Sequence, residues 1–504
     1  MSEIHKVVGT ETEFGITISN HPDFNPVVAS SLVINSYAGT STRIQWSYEE
    51  ESPGRDARGF GYEPPPTADF ETGLVNVVLT NGARLYVDHA HPEYSTPECY
   101  DPLEAALYDK AGEFVLERAA RSASRSLLEG QRLHIHKNNS DGKGNSYGAH
   151  ENYLVDRRLP FGELVRHLIP FFVSRQIFTG SGKVGSENGR PAVDYQITQR
   201  ADFFEEEVGL ETTLKRPIVN TRDEPHADAG LYRRLHVIIG DANLSETQTF
   251  LKVGTTALLL SAIEAGALGD PIELAHPVDS VWRVSHDPTL QATVELGDGS
   301  HATALELQWH YLDWVSKYAE VHGVDDTGRL VLETWEQVLT DLEREPLSTA
   351  DRLDWTAKLA LLEGYRGRDG LPWNAPKLRL LDLQYHDVDR SRGLYHRLVS
   401  AGRMQRLFTD DEVDHAAVAP PERTRAYFRG SCVERFGDAI VAANWDSLIF
   451  DVGEEALKRV PMMEPLRGDK DRVADLLDGS PTPADLVRAL GGEDGRSGTE
   501  EDPS

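Results

Sequence analysis

The sequence predicts an α+β fold, one large domain followed by a small one. Three observations predict it. Several segments alternate apolar and ionisable residues with the period of two that a strand with one polar face requires. Two stretches, Pro102 to Leu128 and Pro160 to Phe178, carry the apolar period of packing helices. Around Arg429 to Ser431, beyond the proline break in AAVAPPERTRA, the pattern changes to short alternating segments.

Taken in order, VVGTETEFG puts Glu11 and Glu13 on one strand face and Thr10, Thr12 and Phe14 on the other. Residues 37–73 include three consecutive prolines, Pro64 to Pro66, show no sustained period, and read as a long inserted loop. In NGARLYVDHAHPEYST, Arg84, Tyr86 and Asp88 share a face backed by Ala83, Leu85 and Val87, and Glu93 follows. The helix from Pro102 aligns Leu103, Ala106, Leu107, Ala111, Phe114 and Val115. In SYGAHENYLV, His150 and Asn152 project together; in RRLHVIIG, Arg234 and His236 do. The expected division is 1–430 for the large domain and 431–490 for the small one. Residues 491–504 form a polar, acidic tail expected to stay disordered. No internal repeat with a period of roughly 20 to 50 residues is present.

Composition excludes whole classes of function. The 504 residues hold 51 Lys and Arg against 82 Asp and Glu, a net charge of −31 that disfavours nucleic acids and anionic membranes. The longest mostly apolar run, Thr255 to Leu268, falls short of the roughly 20 residues a membrane span needs and contains Glu264. MSEIHKVVG lacks the apolar region of a secretory signal. Two cysteines, Cys99 and Cys432, cannot build a disulfide framework, so a reducing cytoplasm is the expected location.

The polar faces of the four strand segments carry Glu, Asp, His, Arg and Tyr instead of the Lys, Thr and Ser of a solvated face. If they line one concave sheet, their carboxylates repel unless cations bridge them. Hard oxygen ligands with a few imidazoles suit Mg²⁺ or Mn²⁺, ions that hold phosphates, so a nucleotide is implied. The common nucleotide loops do not fit. GSGKVG (180–185) matches G-x-G-x-x-G but follows a helical segment and reads as a flexible turn near the site; it also lacks the Ser or Thr a P-loop needs after Lys183. The run from His150 to Leu154 has no second histidine to complete a zincin motif.

The runs GTETEFG (9–15), TNGARLYVDHAHPEYSTPEC (80–99), KNNSDGKGNSYGAHENYL (137–154), NTRDEPHADAGLYRRLHVIIGDANLSET (220–247) and AYFRGSCVERFG (426–437) closely resemble the Dop family. These are the deamidases and depupylases of the prokaryotic ubiquitin-like protein Pup. The resemblance implies a glutamine synthetase-like curved antiparallel sheet backed by helices, with a small C-terminal domain. It implies Asp88 as the catalytic aspartate, and Glu11, Glu13, Tyr86, Glu93, His150 and His236 at the metal. Arg84, Thr96, Asn152, Arg234 and Trp445 match positions around the nucleotide. The implied cofactors are ATP, or ADP with phosphate, and Mg²⁺ or Mn²⁺. The implied partners are Pup and pupylated proteins, with the proteasomal ATPase ring a further candidate.

By the same resemblance, the reactions are deamidation of the C-terminal Gln of Pup and cleavage of its isopeptide bond to a substrate lysine. Asp88 could serve as nucleophile or base, or phosphate could attack; the residues leave the choice open. Pup is acidic, so a local basic surface has to oppose the net charge, and Arg200, Lys215, Arg216 and Arg222 are the residues expected there. The sister family of Pup ligases shares these strands. The inserted segment 37–73 and the spacing from Asp88 to Glu93 favour the hydrolase. A noncatalytic Pup-binding module and a small-molecule amide ligase are the other readings.

Overall fold

The computed structural model describes residues 5–38, 44–48, 51–60 and 75–491. Its centre is a six-stranded antiparallel sheet in the order β13-β8-β1-β6-β5-β4. These strands are β1 (Val8–Glu13), β4 (Asn76–Val78), β5 (Arg84–Asp88), β6 (His91–Ser95), β8 (Ala149–Asp156) and β13 (Tyr232–Val237). The alternation read from the sequence sets which side is buried. Val8, Leu85, Val87, Tyr94, Tyr153, Val155, Leu235 and Val237 enter the main core, and the ionisable residues between them face the other way.

Helices cover the apolar face. Pro102–Ala123 starts at Asp101, whose side chain accepts from the Leu103 and Glu104 amides, with Pro102 in the first turn. Helix Glu246–Glu264 is capped by Ser245. Between helices and sheet lies an ionic layer. Lys137 Nζ donates to Asp109 at 2.5 Å and to Glu113 at 2.9 Å, and the guanidinium of Arg175 takes both oxygens of Glu151. Thr10, on the back of β1, donates to Asp109. Complete pairing makes burial of these charges tolerable. Farther out, Trp335 packs edge-on against Phe171 and Phe178.

Shorter pairs complete the large unit. They are β2 (Gly15–Ile18) with β7 (Leu133–His136), β9 (Lys183–Val184) with β10 (Tyr195–Gln196), and β14 (Thr293–Glu295) with β15 (His301–Thr303). β11 (Phe204–Gly209) runs parallel to β12 (Arg216–Asn220). GSGKVG, expected as a flexible turn, is instead largely buried structure. Ser181 Oγ donates to Ala242 O, Gly182 N donates to Ile197 O, and Lys183–Val184 is β9.

A second sheet, β18-β17-β16-β3, lies at the C-terminal end. It joins β16 (Ile440–Ala443), β17 (Ser447–Phe450) and β18 (Lys458–Pro461) to β3 (Gln45–Trp46), which runs parallel to β16. The expected boundary at 430/431 falls inside helix Ala426–Phe436, whose Phe428, Cys432, Val433 and Phe436 belong to the C-terminal hydrophobic cluster with Ile44 and Trp46. The inserted segment is also corrected. Tyr37 lies in the last turn of a helix, Pro26–Ala38, and Gln45–Trp46 is a strand, because Ile44 and Trp46 bury their side chains in that cluster. Residues 55–57 then pair with 221–223 through Ala57 N to Thr221 O (2.8 Å) and Asp223 N to Arg55 O (2.9 Å). Residues 39–43, 49–50 and 61–73 of that segment, and 492–504 of the expected tail, lie outside the described residues. Among the described residues, no helix is long and apolar enough to cross a membrane.

The turn entering β5 shows how tightly the units meet. Gly82 has φ +80°, and an added Cβ would stand 2.9 Å from Ala426 O; Gly59, at φ +89°, faces open space. Gly82→Ala should therefore cost about 1–3 kcal/mol and more than Gly59→Ala, measured by urea denaturation.

Candidate active site

The register brings the sequence-predicted residues together. Across the ladder, Glu11 lies opposite His150 on β8 and Ser95 on β6, and Glu13 lies opposite Glu93. Tyr86 is opposite Glu93, Arg84 opposite Ser95, Asp88 opposite His91, and His236 opposite Asn152. Period-two projection sends these side chains to one concave face. Two groups form there, Glu11 with His150 and His236, and Glu13 with Asp88 and Glu93; within each, potential ligand atoms lie within 4.8 Å of one another. Gly148 makes room for them, since a Cβ there would stand 2.6 Å from both Glu13 Oε1 and His150 Nε2.

Asn152 organises the first group. Its Nδ2 donates to Glu11 Oε1 at 2.9 Å, while its Oδ1 meets Arg234 Nη1 at 3.0 Å and His236 Nδ1 at 2.9 Å. That leaves His236 Nε2 buried with no hydrogen-bond partner, and burial holds the imidazole well below its ordinary pKa. A neutral, orphaned nitrogen beside a carboxylate and a second imidazole is a donor set that fits a divalent cation. Burial pushes Glu11 upward, but the His150 hydrogen bond and the charge of Arg234 oppose it, and Glu11 lies well below its usual value.

The second group is electrostatically split. Burial, then the charges of Asp88, Glu13 and Glu11, raise Glu93 well above an ordinary glutamate. For Asp88, burial is outweighed by a hydrogen bond from His89 and by the charges of His89, His150 and Arg84, so its carboxyl lies below its usual value. Its side chain is 38% exposed, and His89 Nδ1 lies 3.0 Å from Oδ2. Asp88 is therefore an accessible carboxylate with a lowered pKa beside a buried one whose pKa is raised. Tyr86, expected at the metal, stands 3.5 Å from Ser95 Oγ, and burial and Glu93 keep its phenol protonated.

Four of the five residues expected at the nucleotide, Thr96, Asn152, Arg234 and Trp445, line one cleft that Glu11 also borders. Arg84 does not line it. Its guanidinium is sandwiched between Trp46 and Tyr86, 4.0 and 3.8 Å from their centroids, and Nε donates to Asn76 Oδ1 at 2.8 Å. Sequence reasoning missed Glu98, His226 and Arg425, which also line the cleft. They come from connections and a helix start, where no period exists to mark a face.

The expected basic surface is corrected in part. Arg200 is 1% exposed, with Nη1 donating to the Ile238 and Gly240 carbonyls, and burial pulls it down to about 9. Arg216 is buried too, donating to Thr212 O and Ser146 O. These guanidiniums bind the protein's own backbone and cannot form a solvated patch. Lys215 is exposed and Arg222 half-buried.

Comparison with known proteins places this site in a family. A family profile described as "Pup-ligase protein" matches residues 6–449. The chain belongs to the Pup-ligase protein family. Among its relatives are the depupylase of Acidothermus cellulolyticus, 54% identical, and the Pup deamidase/depupylase of Mycolicibacterium smegmatis, 53% identical, each alignment covering 97% of this chain and 100% of the relative. A solved structure of the ligase PafA in complex with Pup superposes with a TM-score of 0.80 at 31% identity, covering 94% of this chain and 91% of that one. A Pup ligase PafA in complex with ADP superposes at 0.73 and 36% identity, covering 80% and 89%. The fold of the Pup-ligase family is thus the α+β fold described above.

The proton on Glu93 generates a prediction. A divalent cation entering the second group must displace it, so Mg²⁺ affinity should rise with pH and binding should release a proton. Because the folded state holds this proton more tightly than the unfolded chain, Glu93 lowers metal-free stability as pH rises through its folded pKa. Calorimetry in buffers of different ionisation enthalpy should show the proton release, and Glu93→Gln should abolish it.

Proposed function

We infer that this chain is an amide and isopeptide hydrolase acting on Pup, a deamidase and depupylase that requires ATP and Mg²⁺. The observation that carries the reading is the half-exposed Asp88, a member of one of two adjacent potential metal-ligand groups on a sheet face whose Glu11 also borders the cleft lined by Thr96, Asn152, Arg234 and Trp445. Support comes from the depupylases at 54% and 53% identity, against 31% and 36% for the two solved ligases.

In this reading Glu11, Glu13, Glu93, His150 and His236 hold Mg²⁺, with Tyr86 packed beside them. The bound ions supply positive charge that offsets phosphate and polarises a carbonyl. Trp445 and Thr96 seat the nucleotide, while Asn152 fixes Arg234 toward it and Glu11 toward the ion. Arg84 steadies the sheet face from its aromatic cage. Asp88 attacks the γ-carbonyl of the terminal Gln or isopeptide, or takes the proton from an attacking water. Either way water adds across the amide, Pup keeps a glutamate, and ammonia or a lysine amine leaves. Hydrolysis of an amide in water is downhill, so the nucleotide acts as a bound cofactor. Pup reaches the site past Lys215 and Arg222, the two basic positions of the expected set that are not buried.

Incubation of Gln-ended Pup with ATP and Mg²⁺, followed by mass spectrometry, tests the reading. The wild-type chain should convert Gln to Glu, and Asp88→Asn should slow this by roughly 10³-fold or more while still binding ADP. Accumulation of a Pup–lysine conjugate with stoichiometric ADP would instead make it a ligase.

A further inference from the structure

The wall of the cleft opposite the metal-ligand groups holds a buried ion cluster that the chemistry above does not use. Glu98, just beyond β6, sits between two arginines at the start of helix Ala426–Phe436. Arg425 Nε donates to Oε1 at 2.7 Å, Arg429 Nη1 donates to Oε1 at 3.1 Å, and Arg429 Nη2 donates to Oε2. Arg425 and Arg429 are fully buried. Two guanidiniums against one carboxylate are costly in an interior unless their remaining donors are occupied, and main-chain carbonyls occupy them. Met462 O accepts from Arg425 at 2.7 Å. Gly82 O accepts from Arg429 Nε and Nη2 at 3.0 and 2.9 Å, and Trp445 O accepts from Arg429 Nη1 at 3.1 Å.

The same guanidinium stands 5.0 Å from the Trp445 ring centroid. Arg429 therefore grips Trp445 twice, through its carbonyl and through its ring, and ties it to the turn before β5 and the end of β6. From another side the indole meets Trp46 edge-on at 5.2 Å. Glu98, Arg425 and Trp445 share the lining of the cleft.

We propose that Glu98, Arg425 and Arg429 are positioning residues for the nucleotide, fixing the Trp445 indole as a ready-made wall for the base. This rests on the reading of the cleft as a nucleotide site. Preorganising an aromatic wall removes the ordering cost that a free indole would pay on binding. Trp445 stems from the loop between β16 and β17, a connection whose position on the cleft side Arg429 fixes by these two contacts. The cluster thus converts the docking of the C-terminal unit into nucleotide affinity, and it leaves Pup binding untouched.

A double-mutant cycle on the full chain tests this, with MgADP affinity read by calorimetry and the KM for Pup read alongside. Arg429→Gln should weaken MgADP roughly tenfold, in the range of couplings between contacting residues, with the KM for Pup unchanged. In a Trp445→Ala background the same substitution should have no further effect. Should Arg429→Gln not fold, Arg429→Lys carries the test, since an ammonium cannot span Glu98, Gly82 and Trp445 together. Wild-type MgADP affinity in a folded variant would overturn the proposal, as would a loss that persists without Trp445. No MgADP binding by the wild-type chain would overturn the nucleotide reading itself, and this inference with it.

Discussion

Four carboxylates crowded on one sheet face, Glu11, Glu13, Asp88 and Glu93, impose the constraint to which the surrounding structure answers. At an effective dielectric near 20, two charges about 4 Å apart repel by roughly 4 kcal/mol. The protein relieves this by giving each acid a different environment. Glu11 sits against His150, His236 and Arg234; burial and its acidic neighbours raise Glu93; His89 helps to lower Asp88. An accessible carboxylate with a lowered pKa, beside a buried one with a raised pKa, is what amide chemistry needs.

Such a face is useful only if the strands beneath it do not move. The ionic layer behind the sheet serves that end. Asp109 takes both Lys137 and the hydroxyl of Thr10, the residue before Glu11, and Arg175 clamps Glu151 between His150 and Asn152. The alternation that points one residue of each pair at the cleft points its neighbour at a buried charge. Function and support are thus interleaved along β1 and β8. The C-terminal unit is attached by the same means at the cleft's other wall, and the inserted segment lends it a strand.

The candidate site was legible wherever strand periodicity spoke. Glu11, Glu13, Tyr86, Asp88, Glu93, His150, Asn152, Arg234 and His236 share one face because alternation leaves a side chain only two directions. The sequence failed where conformation is set by distant contacts. Arg84 projects to the correct face, yet Trp46, nearly forty residues earlier, captures its guanidinium. Arg200 and Arg216 are charged, and charge suggests surface, but backbone carbonyls bury them. Segment 37–73 has no period of its own because β3 is two residues long and exists only through β16.

Local pattern sufficed for the fold class and for the strands that carry the acids and imidazoles. Those follow from residue type and a period of two, which a linear chain displays. The partition of the acids into two groups, the protonation of Glu93 against Asp88, and the grip of Arg429 on Trp445 arose only on folding. They depend on distances between residues far apart in the chain and on burial, and neither quantity exists until the sheet, the helices and the C-terminal unit have closed around one another.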